Sequence, residues 1–188
     1  MSPAYLQFEQ TLAHHCAPSL TGIKPADLVC WKPPEQEGMK LLGYYAGALF
    51  RRGICLRVLG YSGGRMMLLI FRKRELEKCL EQPQVQDMLT QAGYPQGAEM
   101  EQLLMVLRRR LAQSGFPHEI GLFLGYPPVD VEGFQRDAGR NCKFSGLWKV
   151  YGDVEQTKQS FERFHRCRAA LLRRLEQGYS LEQVFPAA

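Results

Sequence analysis

Two periods organise the apolar positions of the chain. Tyr5, Phe8 and Leu12 recur at helical spacing and predict a helix over 5–13. Pro18 and Pro25 are expected to forbid its continuation, because proline removes a backbone hydrogen bond and clashes with the preceding turn. Residues 27–31 read as a short apolar strand, and 32–38, with two prolines and a glycine, as a loop. Residues 39–52 read as a helix closed by Gly53. Its Gly43 and Gly47, four apart, predict a small-residue face lying close against a sheet. Residues 54–60 and 65–71 are strands joined by Tyr61-Ser62-Gly63-Gly64, a hairpin signal. Helices follow over 75–80, from Pro83 to Gly93, and over 99–113. In the last of these Met100, Leu103, Leu104, Leu107 and Leu111 form the apolar stripe, and Arg108 and Arg109 fall on the solvated side.

The final third alternates. EIGLFL, 119–124, reads as a strand, Gly125-Tyr126-Pro127-Pro128 as a turn, and 129–137 as a helix. A second strand is expected over 144–151, and a long helix from Asp153 to Gln177, with Asp153 and Gln156 in a capping-box pattern. Strand, helix, strand, helix predicts a right-handed βαβ unit with two parallel strands. The expectation is an α/β or α+β fold, one domain over 1–188, with a mixed sheet of about five strands and helices packed on it.

Composition narrows the class. A chain of 188 residues, 45% hydrophobic, can bury a core without staples. No apolar run approaches the ~18 residues that cross a bilayer. The opening MSPAYLQFEQ lacks the basic and apolar regions of a signal peptide, so no membrane insertion and a cytoplasmic location are expected. The six cysteines form no CxxC and no zinc-finger spacing, and read as reduced thiols. A net charge of +5 permits contact with small anions but falls short of the basic stripe of a nucleic-acid binder. Neither GxGxxG nor GxxxxGK[ST] occurs, so no nucleotide-binding loop is supported.

Three segments in order, HCAPSLTGIKPADL, FPHEIGLFLGYPPVDVEGF and GLWKVYGD, resemble a bacterial family described only as a domain of unknown function, number three-seven-nine-three. The resemblance extends over nearly the whole chain. The family's marker motifs stand here as Pro117-His118-Glu119 and Leu124-Gly125-Tyr126-Pro127. The resemblance assigns no reaction and no cofactor. It implies genes of anaerobic bacteria, some beside flavodoxin or ferrous-iron-uptake genes. From this come a setting in iron or redox metabolism and a redox or iron-handling protein partner.

Candidate chemistry gathers at three places. His118 and Glu119, adjacent at the start of the expected strand, should face opposite ways, and His118 is the better acid–base candidate because histidine is the side-chain type suited to proton transfer near neutral pH. An extended chain would put the two marker motifs at opposite ends of that strand, roughly 23 Å apart. Gly125, Tyr126, Lys149 and Gly152 would lie at the carboxyl ends of the parallel strands, where helix N-termini can hold an anion or cofactor. The same residues also suit plain turns and capped helices. His14, His15 and Cys16 are a weak metal-site candidate, since adjacent histidines cannot clamp one ion from one helix face. Cys16, expected just past a helix C-terminus, would find thiolate formation disfavoured there. Arg168 interrupts the apolar stripe of the last helix, which predicts a snorkelling stem or a buried acid partner. The favoured reading is a domain that binds a small anion or cofactor, or regulates through one. The alternatives are an enzyme using His118 or Cys16 in acid–base, thiol or metal chemistry, and a protein-interaction module.

Overall fold

In a computed structural model describing residues 3–113 and 115–186, most of these periods become the elements they predict. In chain order they are α1 (Pro3–Thr21), β1 (Ala26–Trp31), α2 (Gly38–Phe50), β2 (Cys55–Ser62), β3 (Arg65–Phe71), α3 (Lys73–Leu80), α4 (Pro83–Gln91) and α5 (Met100–Leu111). There follow α6 (Ile120–Phe123), α7 (Pro128–Asp137), β4 (Phe144–Ser145), β5 (Lys149–Val150), α8 (Val154–Glu176) and α9 (Leu181–Val184). The chain divides into two compact units. One runs to Lys73 and resumes at His165; the other is Arg74–Phe164, so the division falls within α8. Among the described residues, no helix is long and apolar enough to cross a membrane.

The first unit is built on the hairpin. β3 lies between β1 and β2, antiparallel to both. Its unbroken apolar run suits a central strand, which must be covered on both faces. Met66, Leu68 and Ile70 enter one core with Phe8, Leu12 and Leu20 of α1, Leu41, Tyr45 and Leu49 of α2, and Leu171 and Leu181. Each fully buried side chain of this size contributes about 1.5–3 kcal/mol. β2 changes register between Val58 and Gly60, a bulge in the edge strand.

Two expectations are corrected in this unit. Pro18 does not stop α1, which runs to Thr21. Proline forfeits one hydrogen bond, but Cys16, Ala17 and Leu20 are fully buried around it. The helix end is instead closed by Arg72, whose Nε and Nη2 donate to the Leu20 carbonyl at 3.0 and 2.7 Å. Nor do Gly43 and Gly47 lie against the sheet. A Cβ at Gly43 would meet nothing within 4 Å, and one at Gly47 only Arg51 Nη1 at 3.8 Å.

The second unit departs most from expectation. EIGLFL is not a strand: 120–123 is one helical turn, with the Leu124 amide donating to the Ile120 carbonyl at 3.0 Å. A short continuous apolar run carries no period to separate a buried strand from a buried helical turn, and Ile120, Leu122, Phe123 and Leu124 are all buried. The marker motifs are therefore joined by a helical turn, not by extended chain. Residues 144–151 are not one strand either. The chain reverses at Gly146, and β4 pairs antiparallel with β5, Phe144 opposite Val150. The parallel pair and the βαβ unit are thus absent from the described residues. Among the described residues the sheets have three and two strands, and no mixed sheet of about five is formed. Val150, Phe161 and Phe164 form a small core packed by Phe144, Trp148 and Val154. Asp153 does cap α8, its Oδ1 accepting from the Gln156 amide at 3.0 Å.

Candidate functional site

In the first unit, α1, α2 and the C-terminal segment bring two carboxylates to one cleft. Glu9 sits on the apolar face of α1, one residue after Phe8 and a turn before Leu12 and Ala13, so helical geometry carries it inward. It is 2% exposed. Its Oε1 accepts from the Tyr45 hydroxyl at 2.8 Å and from the Leu181 amide at 3.0 Å. Among the described residues, Oε2 takes no hydrogen bond and no ion pair reaches the group. Burial holds the Glu9 carboxyl above its ordinary range, against the smaller opposing pull of the Tyr45 and Leu181 hydrogen bonds.

Glu182, at the start of α9, has a different environment. The Tyr44 hydroxyl donates to its Oε1, and Arg52 Nη2 lies 3.1 Å from its Oε2. Arg52 also donates to the Glu182 backbone carbonyl. The hydrogen bond to Glu182, then burial, raises the Tyr44 phenol. Tyr45 is raised chiefly by burial, then by Glu9. Tyr44 and Tyr45 meet edge-on with ring centres 5.2 Å apart. Leu6, Glu9, Tyr44, Leu175, Tyr179 and Glu182 are among the walls of the resulting cleft, of about 480 Å³. A carboxyl of raised affinity for protons beside one paired with arginine can hold a donor or cation, or exchange a proton.

The residues singled out by the sequence fall in both units. His118 is exposed, its ring 4.9 Å from that of Phe134, while Glu119 turns inward. Glu119 accepts from the Tyr94 hydroxyl at 3.2 Å and from Arg110 Nε, at one wall of a polar cleft shared with Asp87 and Glu132. Gly125 turns the chain with φ 72°, and Tyr126 stacks on Trp148 with ring centres 4.4 Å apart and an angle of 21° between planes. Gly152 donates its amide to Asp130 Oδ1 at 2.8 Å, and a Cβ there would stand 2.6 Å from Val129 Cγ1. Lys149 Nζ donates to Ser145 Oγ at 3.0 Å.

Asp130, which the sequence reading passed over, ties these parts together. It is 2% exposed and lies in the first turn of α7. Its carboxylate accepts from Trp148 Nε1 at 2.8 Å, the Tyr151 amide at 2.7 Å and the Gly152 amide at 2.8 Å. The negative charge that a helix N-terminus favours is thus supplied by the chain itself. An acidic residue between Val129 and Val131 was the available signal. For Glu9 it was an acid at helical spacing among Tyr5, Leu12, Ala13 and Cys16.

Cys16 lies inside α1, not beyond its end, and is fully buried. Burial, then Asp27, pushes its thiol well above the ordinary value, which opposes thiolate chemistry. His14 and His15 are exposed, with ring centres 4.7 Å apart. Partial burial, then His14 and Arg168, lowers His15. Among the described residues, no group of three or more His, Cys, Asp or Glu is arranged to hold a metal ion. Arg168 is half-buried, and its buried Nε has no hydrogen-bond partner.

No curated protein and no solved structure matches the chain. The family match begins after Glu9 and spans Tyr44, Tyr45, Asp130, Glu182 and both marker motifs. Covering residues 12–185, it shows that the chain belongs to the family described as Protein of unknown function (DUF3793).

Proposed function

We propose that this chain is a small-molecule-binding domain whose ligand seats in the cleft beside Glu9 and Glu182. The observation that carries the reading is the Glu9 carboxyl, buried at the cleft wall with two neutral donors and, among the described residues, no cation. A charge in that position costs several kcal/mol unless it is neutralised, and perturbed carboxyls gather where ligands bind. The volume of about 480 Å³ suits a metabolite-sized molecule. An anion at Gly125 and Tyr126 has less support, because that reading leaned on two parallel strands and Asp130 now fills the helix end. The setting in iron or redox metabolism, with a protein partner of that kind, rests on the family resemblance alone.

The test is native mass spectrometry of the purified protein, followed by a fragment screen read at the Leu181 and Tyr45 amides. A retained molecule, or a fragment that moves those two amides, is expected. Its binding should weaken in Glu9→Gln. A protein that carries nothing and gives no shift at either amide overturns the proposal.

A further inference from the structure

We infer that the ligand of this cleft is an organic ammonium ion with an apolar body. The inference rests on the reading of the cleft as the binding site, and it names the class of molecule that site takes. Among the described residues the walls include two carboxylates and no lysine, arginine or histidine, in a chain whose net charge is +5. Two bases that reach the wall residues are already committed. Arg52 pairs with Glu182, and the guanidinium of Arg174 lies 4.8 Å from the centre of the Tyr179 ring. Glu9 has no counter-charge among the described residues. Its Oε1 is satisfied by Tyr45 and Leu181, and its Oε2 takes no hydrogen bond from the described residues.

An ammonium placed on Oε2 supplies the missing charge and a charge-assisted hydrogen bond. A carboxylate ligand at the same point would bury two like charges against each other. The remaining walls fit the rest of such a molecule. Tyr44, 45% exposed, offers a ring, and rings attract cations over their faces. Leu6 and Leu175 offer apolar surface to a carbon body.

Three probes of one shape separate charge from size: phenethylammonium, 2-phenylethanol and 3-phenylpropionate. Each is titrated into the full chain, with amide shifts at Leu181 and Tyr45 and calorimetric affinity as readouts. Phenethylammonium is expected to bind at least about tenfold more tightly than the alcohol, and the acid not to bind. Glu9→Gln should remove that preference. Gln10→Lys, an exposed change on α1 at the cleft wall, sets a competing ammonium there and should abolish binding without unfolding the chain, as judged by Trp31 fluorescence. If the alcohol or the acid moves those amides as tightly as the amine, the cleft still binds ligands but the ammonium inference is overturned. If none of the three moves them and a broad fragment screen also fails, the binding site falls as well.

Discussion

A buried carboxyl without a cation makes stability depend on pH in a definite direction. Burial raises the affinity of Glu9 for its proton in the folded chain above the ordinary 4.5 of the unfolded one. The stability this proton contributes is therefore complete below about pH 4.5 and is lost as pH rises through the folded value. Glu9→Gln keeps an acceptor for Tyr45 and Leu181 and cannot ionise. Its melting temperature relative to the parent should climb from about pH 4 to about pH 8, ending at or above the parent's. A difference that stays flat across that range in calorimetry would mean that Glu9 does not titrate as described. Asp130 is an acceptor for the chain's own donors. Three donors converge on its carboxylate, so Asp130→Ala leaves one buried and two part-buried N–H groups unpaired and should cost about 2–4 kcal/mol in urea denaturation.

At the scale of elements, two glycines with similar surroundings in sequence have opposite surroundings in space. Gly133 on α7 lies beneath Tyr151, and a Cβ there would stand 2.3 Å from the ring's Cγ. Gly133→Ala should destabilise by about 1–3 kcal/mol through overpacking. Gly43 on α2 is exposed with nothing in reach, and Gly43→Ala should stabilise by about 0.4–1 kcal/mol. Chemical denaturation of both variants checks the pair; a loss at Gly43 would mean that its bare face is in use. Much of this level was legible in the chain. β1, the hairpin, α2, α4, α5 and α7 were marked by period and by punctuating glycines and prolines. What failed was what periodicity cannot encode. EIGLFL is apolar throughout, and 144–151 needed Gly146 to be read as a reversal. Pro18 was judged by its local cost without the burial that offsets it. The candidate cleft was less legible still, because Glu9, Tyr44 and Glu182 are brought together only by tertiary structure. A lone acid on an apolar helix face was the sole trace of it.

At the scale of the molecule, the first unit is discontinuous in sequence. Its core needs Leu171 and Leu181, and its cleft needs Glu182 and the Leu181 amide. A chain ending at Phe164 should lose cooperative unfolding of this unit, with the emission of Trp31 moved to the wavelength of a solvated indole; a native-like Trp31 signal would show that the first 73 residues suffice.

The Glu9–Leu181 bond joins positions 172 residues apart, and this fixes an order of events during synthesis. Arg74–Phe164 is continuous and has all its own residues as soon as it leaves the ribosome. The hairpin and the first two helices emerge earlier but must wait for the segment that completes them. At about 5–20 residues per second, translating the intervening segment takes roughly 5–20 seconds, during which Phe8, Leu12 and Leu20 lack part of their cover. That interval invites trapping and chaperone engagement, and closure across so long a loop adds its entropic cost. Nascent chains thus lack the cleft, and only a polypeptide translated past Glu182 can form it.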